Sequence, residues 1–201
     1  MENVMDLYNN GERPGDIDPS SIVRSQNRYK TAIKFVKNST VIDYGCGIGL
    51  GYPILKDMVK DYVGYDKCKE AAKEAWNRYP QGTFISYDIV KEFYENRLLS
   101  NPADRVLLGL EIIEHLEKED LKSLLMMASE SKLRCYFTTP DGDFYPYHPV
   151  TIEQRVGHHI WHYTYQELKH LFEKYFKYVD IFGLERDEIL NRFVTFGIYS
   201  C

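Results

Sequence analysis

The chain has 201 residues, a formal net charge of −5 and a pI near 5.7. That length suits one α/β domain with a full core, and the acidic balance argues against a broad nucleic-acid-binding surface while leaving room for a local basic patch. There is no apolar run of about 18 residues and no signal-peptide pattern, and Cys46, Cys68, Cys135 and Cys201 lack C-x-x-C spacing. The expectation is therefore a soluble, unsecreted, cytoplasmic chain with reduced thiols, no membrane span and no thiolate zinc site.

Residues 1–20 are polar and broken by Gly11, Pro14, Gly15 and Pro19, which predicts a loop-rich arm with one helical turn near Val4–Tyr8. Ser21–Lys37 places Ile22, Ala32, Ile33 and Val36 at helical spacing and predicts a helix. Signals then alternate: strand 40–44, helix 50–60, strand 61–65, helix 67–78, strand 82–87, a short helix 90–98, strand 104–109, helix 117–130 and strand 133–139. A loop at 140–157 leads to helix 165–174 and two strands near 175–183 and 191–199. This alternation predicts a doubly wound, mostly parallel, seven-stranded sheet ending in an antiparallel hairpin joined across Glu185–Asn191. Without repeats, low complexity or an internal linker, residues 1–201 are expected to form a single domain.

The most informative stretch is Val41-Ile-Asp-Tyr-Gly-Cys-Gly-Ile-Gly-Leu-Gly51. A buried strand that breaks into glycines and opens a helix is a nucleotide-cofactor loop, because glycine reaches positive φ and lets a ligand lie against bare amides. The spacing is Asp43-x-Gly45-x-Gly47-x-Gly49, with Cys46 inside it. It is not the G-x-G-x-x-G of a dinucleotide fold, and Leu50-Gly51-Tyr52 is not the Gly-Lys-Ser/Thr end of a P-loop. A second strand ends in Asp66, about 20 residues past the loop, where a carboxylate can accept both ribose hydroxyls; the other reading of Asp66 is an N-cap for the helix that begins at Lys67. A third strand, Thr83–Tyr87, ends in Asp88-Ile89. Acids at the C-terminal ends of successive strands fall where open α/β sheets bind ligands.

The pattern D-x-G-x-G-x-G resembles motif I of the class I S-adenosylmethionine-dependent methyltransferases, whose cofactor carries no phosphate and needs no Walker lysine. The resemblance continues beyond the loop. Leu110-Glu111-Ile112-Ile113-Glu114-His115-Leu116, after the fourth strand, is similar to the E-x-x-E-H-L of a subgroup that includes ubiquinone-pathway O-methyltransferases and small-RNA 3′-end 2′-O-methyltransferases. Thr138-Thr139-Pro140-Asp141 resembles their S-T-P-N, and His159-Ile-Trp-His-Tyr-Thr164-Tyr-Gln-Glu-Leu168 their H-x-x-x-F/Y-T-x-x-E-L. Gly11-Glu12-Arg13 followed by Arg28-Tyr29 is similar to a leader in bacterial and phage members. The chain departs from the pattern twice: Glu130-Ser-Lys-Leu-Arg134 stands where a P-G-G turn is usual, and Asp141 replaces an asparagine.

The resemblance implies a Rossmann-like methyltransferase fold and assigns roles. Asp43, Gly45, Cys46 and Gly47 hold the methionine end of S-adenosylmethionine, Asp66 the ribose, Asp88 and Ile89 the adenine, with Lys67 a further cofactor-binding residue. Leu110 flanks the cofactor, and Arg28 meets its carboxylate or lies on a solvated helix face. In the small-RNA enzymes the matching residues would be Glu111, Glu114, His115 and His159, with His158 as a neighbouring choice, holding Mg²⁺ or Mn²⁺ on ribose hydroxyls. Two carboxylates and two imidazoles suit such an ion and leave positions open for substrate oxygens. The alternative is that Glu114 and His115 only cap and orient a loop. His115, His159 and Glu114 are the candidate catalytic residues. His162 is read as a surface histidine, with a general base as the alternative; His148 is read as a loop residue, and His170 is given no role. Residues 140–164, with Tyr145, Tyr147 and Trp161, are expected to form a substrate lid or simple packing. The implied activity is O-methylation of a small-molecule or sugar acceptor. The alternatives are metal-dependent 2′-O-methylation of an RNA 3′-terminal ribose, and a catalytically silent cofactor-binding scaffold.

Overall fold

A computed structural model describes residues 19–88, 104–148, 159–187 and 192–201. The expected turn at Val4–Tyr8, the helix at 90–98, Ile89 and His158 lie outside the described residues. In order across the sheet the strands read β3-β2-β1-β4-β5-β7-β6, numbered along the chain as introduced below. By its internal packing the chain divides into two compact units, Met1–Leu110 and Glu111–Cys201.

In the first unit, helix α1 (Pro19–Val36) buries Tyr29, Ala32 and Val36, a single stripe at helical spacing. Strand β1 (Thr40–Tyr44) lies parallel to β2 (Asp61–Asp66) and to β4 (Arg105–Leu110), and β2 lies parallel to β3 (Thr83–Ser86). Val106, Leu107 and Leu108 are all buried, as a parallel strand covered on both faces requires. Asp43 sits in register with Gly64 on one side and Leu108 on the other.

Helix α2 spans only Tyr52–Leu55, not the expected 50–60. Pro53 stands in its first turn, and the residues after Leu55 reverse the chain ahead of β2. The Met58 and Val59 amides bond back to the Leu55 carbonyl, and the Lys60 amide to that of Ser39. Helix α3 (Lys69–Arg78) starts after an extended Cys68 and buries Ala71, Ala72 and Ala75.

In the second unit a short 3₁₀ turn (Ile113–His115) precedes helix α4 (Lys118–Glu130) and strand β5 (Arg134–Pro140). The missing P-G-G turn is replaced by Lys132 at φ 53°, with the Leu133 amide reaching back to the Ala128 carbonyl at 2.8 Å. That closure normally favours glycine at the left-handed position. Helix α5 (Tyr165–Phe172) opens on a complete capping box between Thr164 and Glu167. Strands β6 (Val179–Asp187) and β7 (Arg192–Ser200) pair antiparallel, and β7 also pairs antiparallel with β5. Strand β6 begins later than the expected residue 175, because the Tyr175 and Phe176 amides extend the turn onto the Phe172 carbonyl and Phe176 stacks on Phe172 at 6.2 Å. Among the described residues no helix is long and apolar enough to cross a membrane.

Candidate functional site

In the first unit the loop after β1 is built from glycines with separate tasks. Gly47 (φ 53°) has no atom of the described residues within 4 Å of where a Cβ would stand, so its face is open among them. Gly49 (φ 78°) has no such space: a Cβ would meet the Phe84 ring at 2.9 Å and the Ala75 Cβ at 3.0 Å. The Gly45 and Cys46 amides both bond to the Tyr65 carbonyl at the end of β2, at 2.8 and 3.1 Å. Asp66 pins the same loop: its carboxylate accepts from the Gly47 amide and the Cys68 amide, each at 2.8 Å. Each oxygen keeps further lone pairs for hydroxyl donors. Asp66 precedes the capping position, which is Cys68. Burial pushes its carboxyl above the ordinary range, against the pull of those two amides and of Lys67.

Asp43 is fully buried at the end of β1. Its Oδ2 accepts from the Tyr29 hydroxyl at 2.9 Å and the Tyr62 hydroxyl at 2.5 Å, while Oδ1 has no hydrogen-bond partner among the described residues. Burial, only partly offset by the two tyrosines, raises its carboxyl from 3.8 to about 6. An unpartnered buried carboxylate oxygen is a demand for a donor or cation, because leaving it unmet costs about 1–3 kcal/mol. The amino-acid end of S-adenosylmethionine offers such a donor, so the residues present fit that group. Cys46 is buried and burial pushes its thiol up, which makes it packing and not a nucleophile. Arg28 is half-buried on α1 beside Tyr29, Lys67 is exposed, Asp88 is half-buried just past β3, and Leu110 is half-buried at the end of β4. The sequence does not show that Tyr29 and Tyr62 converge on Asp43; Tyr29 stands in the Arg28-Tyr29 pair of the leader resemblance, and Tyr62 is one of 17 tyrosines.

The second unit holds a different cluster. Glu114, His115 and His159 place ligand atoms within 4.8 Å of one another. The 3₁₀ turn that follows Glu111 sets the first two. Glu111 itself adopts φ 53° and donates its amide to Thr138, both to the carbonyl at 3.0 Å and to Oγ1 at 3.1 Å. A left-handed glutamate is strained, and such strain is commonest at functional sites. Glu111 is not one of the three residues whose ligand atoms all lie within 4.8 Å of one another.

Glu114 is wholly buried; Thr139 Oγ1 donates to its Oε2 at 3.1 Å, and His115 Nε2 lies 3.9 Å from its Oε1. Its backbone carbonyl accepts from the Ile160 amide at 2.7 Å, which ties residues 159–163 to the turn. The His115 and His159 rings meet edge to face at 4.7 Å. Asp141, in place of asparagine, is buried and accepts from the Asp143 amide at 2.7 Å, so it shapes the loop before Tyr145. Within the expected lid, Trp161 is flanked by the Lys118 ammonium at 3.4 Å and the His148 ring at 4.2 Å, so its ring is occupied by packing. Thr139, given no role of its own from the sequence, and His162, read there as a surface residue, both touch the cluster.

No family model matches the chain, and no curated protein matches it. Solved structures do. A SAM-dependent methyltransferase from Archaeoglobus fulgidus aligns at 17% identity over 90% of this chain and 94% of its own, with a TM-score of 0.71. The methyltransferase domain of bacterial CtHen1 aligns at 22% identity over 88% of this chain and 97% of its own, with a TM-score of 0.66. Magnesium protoporphyrin IX methyltransferase from Synechocystis PCC 6803, solved with bound SAM, aligns at 11% identity over 100% of this chain and 92% of its own, with a TM-score of 0.60. At these identities the likeness is one of architecture, and the chain has the Rossmann-like fold of the S-adenosylmethionine-dependent methyltransferases.

Proposed function

We propose that this chain is an S-adenosylmethionine-dependent methyltransferase that methylates a hydroxyl oxygen of a small-molecule or sugar acceptor. The observation that carries the reading is the glycine loop on β1, open over Gly47, pinned by Asp66 and adjoining a buried Asp43 whose Oδ1 lacks a partner among the described residues. When bound, S-adenosylmethionine supplies a methyl group already activated on a sulfonium. Asp43 and the Gly45–Gly47 backbone hold its amino-acid end, with Arg28 toward the carboxylate. Asp66 takes the ribose, Asp88 with its neighbour Ile89 the adenine, and Leu110 the flank of the cofactor, with Lys67 a further cofactor-binding residue.

An acceptor hydroxyl must lie in line with the methyl and lose its proton as the new C–O bond forms and the methyl–sulfur bond breaks, its electron pair leaving on the sulfur of S-adenosylhomocysteine. The cluster of Glu114, His115 and His159 supplies this chemistry. One carboxylate and two imidazoles fit a divalent ion of the Mn²⁺ or Mg²⁺ kind, which would polarise a hydroxyl oxygen. His115 and His159 are the residues that take the proton, and buried Glu114, held by Thr139, fixes the charge beside them.

A second reading has its own support. An RNA 3′-terminal ribose offers the vicinal hydroxyls that such a cluster can hold, and the chain shares its fold with the methyltransferase domain of CtHen1. One assay separates the readings. Labelled S-adenosylmethionine is offered with sugars, small hydroxylated molecules, RNA with a ribose 3′ end and RNA with a 2′-deoxy 3′ end. Label on small acceptors supports the first reading. Label on the ribose end alone, lost on the deoxy end, supports the second. Tight cofactor binding without transfer to any acceptor would mean a silent scaffold domain.

A further inference from the structure

His162 lies in a run of polar contacts that ends on the backbone. Its Nδ1 bonds to the Tyr145 carbonyl at 2.7 Å, and its Nε2 bonds to Nδ1 of His159. The His159 ring in turn meets His115. A carbonyl oxygen can only accept, so His162 Nδ1 must carry the hydrogen. In the neutral ring Nε2 then has a lone pair and no hydrogen, so the bond between the rings is donated by His159 Nδ1. That leaves His159 Nε2 as the nitrogen that carries the lone pair.

We infer that His162 is a positioning residue that fixes the tautomer of His159, presenting Nε2 as the ligand or base nitrogen of the Glu114–His115–His159 cluster. The consequence for chemistry rests on the proposed function; the tautomer itself does not. Two features hold the device in place. Gly142 lets the backbone of residues 159–163 approach closely: a Cβ there would stand 2.6 Å from the His162 carbonyl oxygen, and the Gly142 amide bonds to the Tyr163 carbonyl at 3.0 Å. The Tyr145 amide bonds to the Asp141 carbonyl at 2.8 Å, which sets the carbonyl that His162 reads. A partner on the far nitrogen is how ligating histidines are generally oriented, and losing it typically costs about 10- to 100-fold in metal affinity.

The test uses the full chain and two variants. His162→Phe keeps a ring but removes the acceptor; His162→Gln keeps an oxygen in reach of His159 Nδ1. Long-range ¹H–¹⁵N spectra of the metal-free protein report which nitrogen of His159 carries hydrogen, and Mn²⁺ titration reports affinity. The expected result is hydrogen on Nδ1 in the parent and in His162→Gln, and a shift toward hydrogen on Nε2 in His162→Phe. Mn²⁺ affinity should fall about 10-fold or more in His162→Phe and recover in His162→Gln. Hydrogen on Nε2 of His159 in the parent protein, or a His162→Phe spectrum identical to the parent, overturns the inference. A fixed Nδ1–H tautomer with no Mn²⁺ binding in the parent would uphold the inference and remove the metal from the proposed function, leaving His159 as a base.

Discussion

The substitution Asp43→Asn removes a titration that the fold makes unfavourable. The carboxyl ionises near 3.8 in an open chain and near 6 in the folded one, because burial outweighs the hydrogen bonds from Tyr62 and Tyr29. Below 3.8 Asp43 is protonated in both states and costs nothing. Between 3.8 and about 6 the unfolded chain releases its proton while the folded chain keeps it, so stability falls as pH rises, and above that window the loss levels off. At about 1.4 kcal/mol per pH unit the whole effect is about 3 kcal/mol. The amide of the variant keeps a carbonyl oxygen for the two tyrosine hydroxyls but carries no charge. Urea unfolding of parent and variant across the acid range measures the difference between them. The parent should lose about 3 kcal/mol relative to the variant on going from about pH 3 to about pH 7. A difference independent of pH, or one that moves the other way, would refute the account of Asp43 as a buried acid awaiting a cation. The variant should also lose S-adenosylhomocysteine binding, since the charge that meets the ligand's amino group is gone.

Gly47→Ala and Gly49→Ala should separate ligand space from packing. The first, with open space around it, costs about 1 kcal/mol of backbone preference yet weakens S-adenosylhomocysteine by calorimetry. The second drives a methyl against Phe84 and Ala75 and should lower stability by about 1–3 kcal/mol in urea unfolding. Glu114→Gln should abolish Mn²⁺ binding and methyl transfer while leaving S-adenosylhomocysteine affinity unchanged, as titration of each ligand would show. Lys132→Gly relieves a left-handed lysine and should raise the melting temperature by about 2–4 °C, for a gain of about 1 kcal/mol.

Strand β1 coincides with the sequence reading, 40–44, because a buried run ended by glycines leaves little choice of boundary. Strand β4 and helix α4 lie within a residue of their expected limits for the same reason: apolar runs with sharp polar edges. Helix α2 is much shorter than the periodicity suggests. Apolar spacing through Leu55 and Val59 continues, but the chain turns after Leu55, where the Met58 and Val59 amides bond back to its carbonyl, and a turn leaves no mark in an apolar pattern. The late start of β6 has a similar origin, since Phe176 reads as a strand residue yet packs as the end of a helix.

At the candidate sites, the sequence names Asp43, Glu114, His115 and His159 but not what surrounds them. Tyr29 and Tyr62 reach Asp43 from 14 and 19 residues away, a convergence that exists only once α1 and β2 flank β1. His162 reads as a surface residue because its partner is a carbonyl 17 residues earlier, brought near by the close backbone approach at Gly142. Glu111 matches the motif by spacing and adopts a left-handed backbone just before the turn that carries Glu114 and His115.

The most direct test of the central claim is calorimetric titration of S-adenosylhomocysteine into the intact protein, once with Mg²⁺ or Mn²⁺ present and once with EDTA. The account predicts micromolar binding in both conditions, because the cofactor loop, Asp43 and Asp66 belong to one unit and the candidate metal ligands to the other. Absence of binding in both conditions would contradict it and reduce the glycine loop to a turn between a strand and a helix.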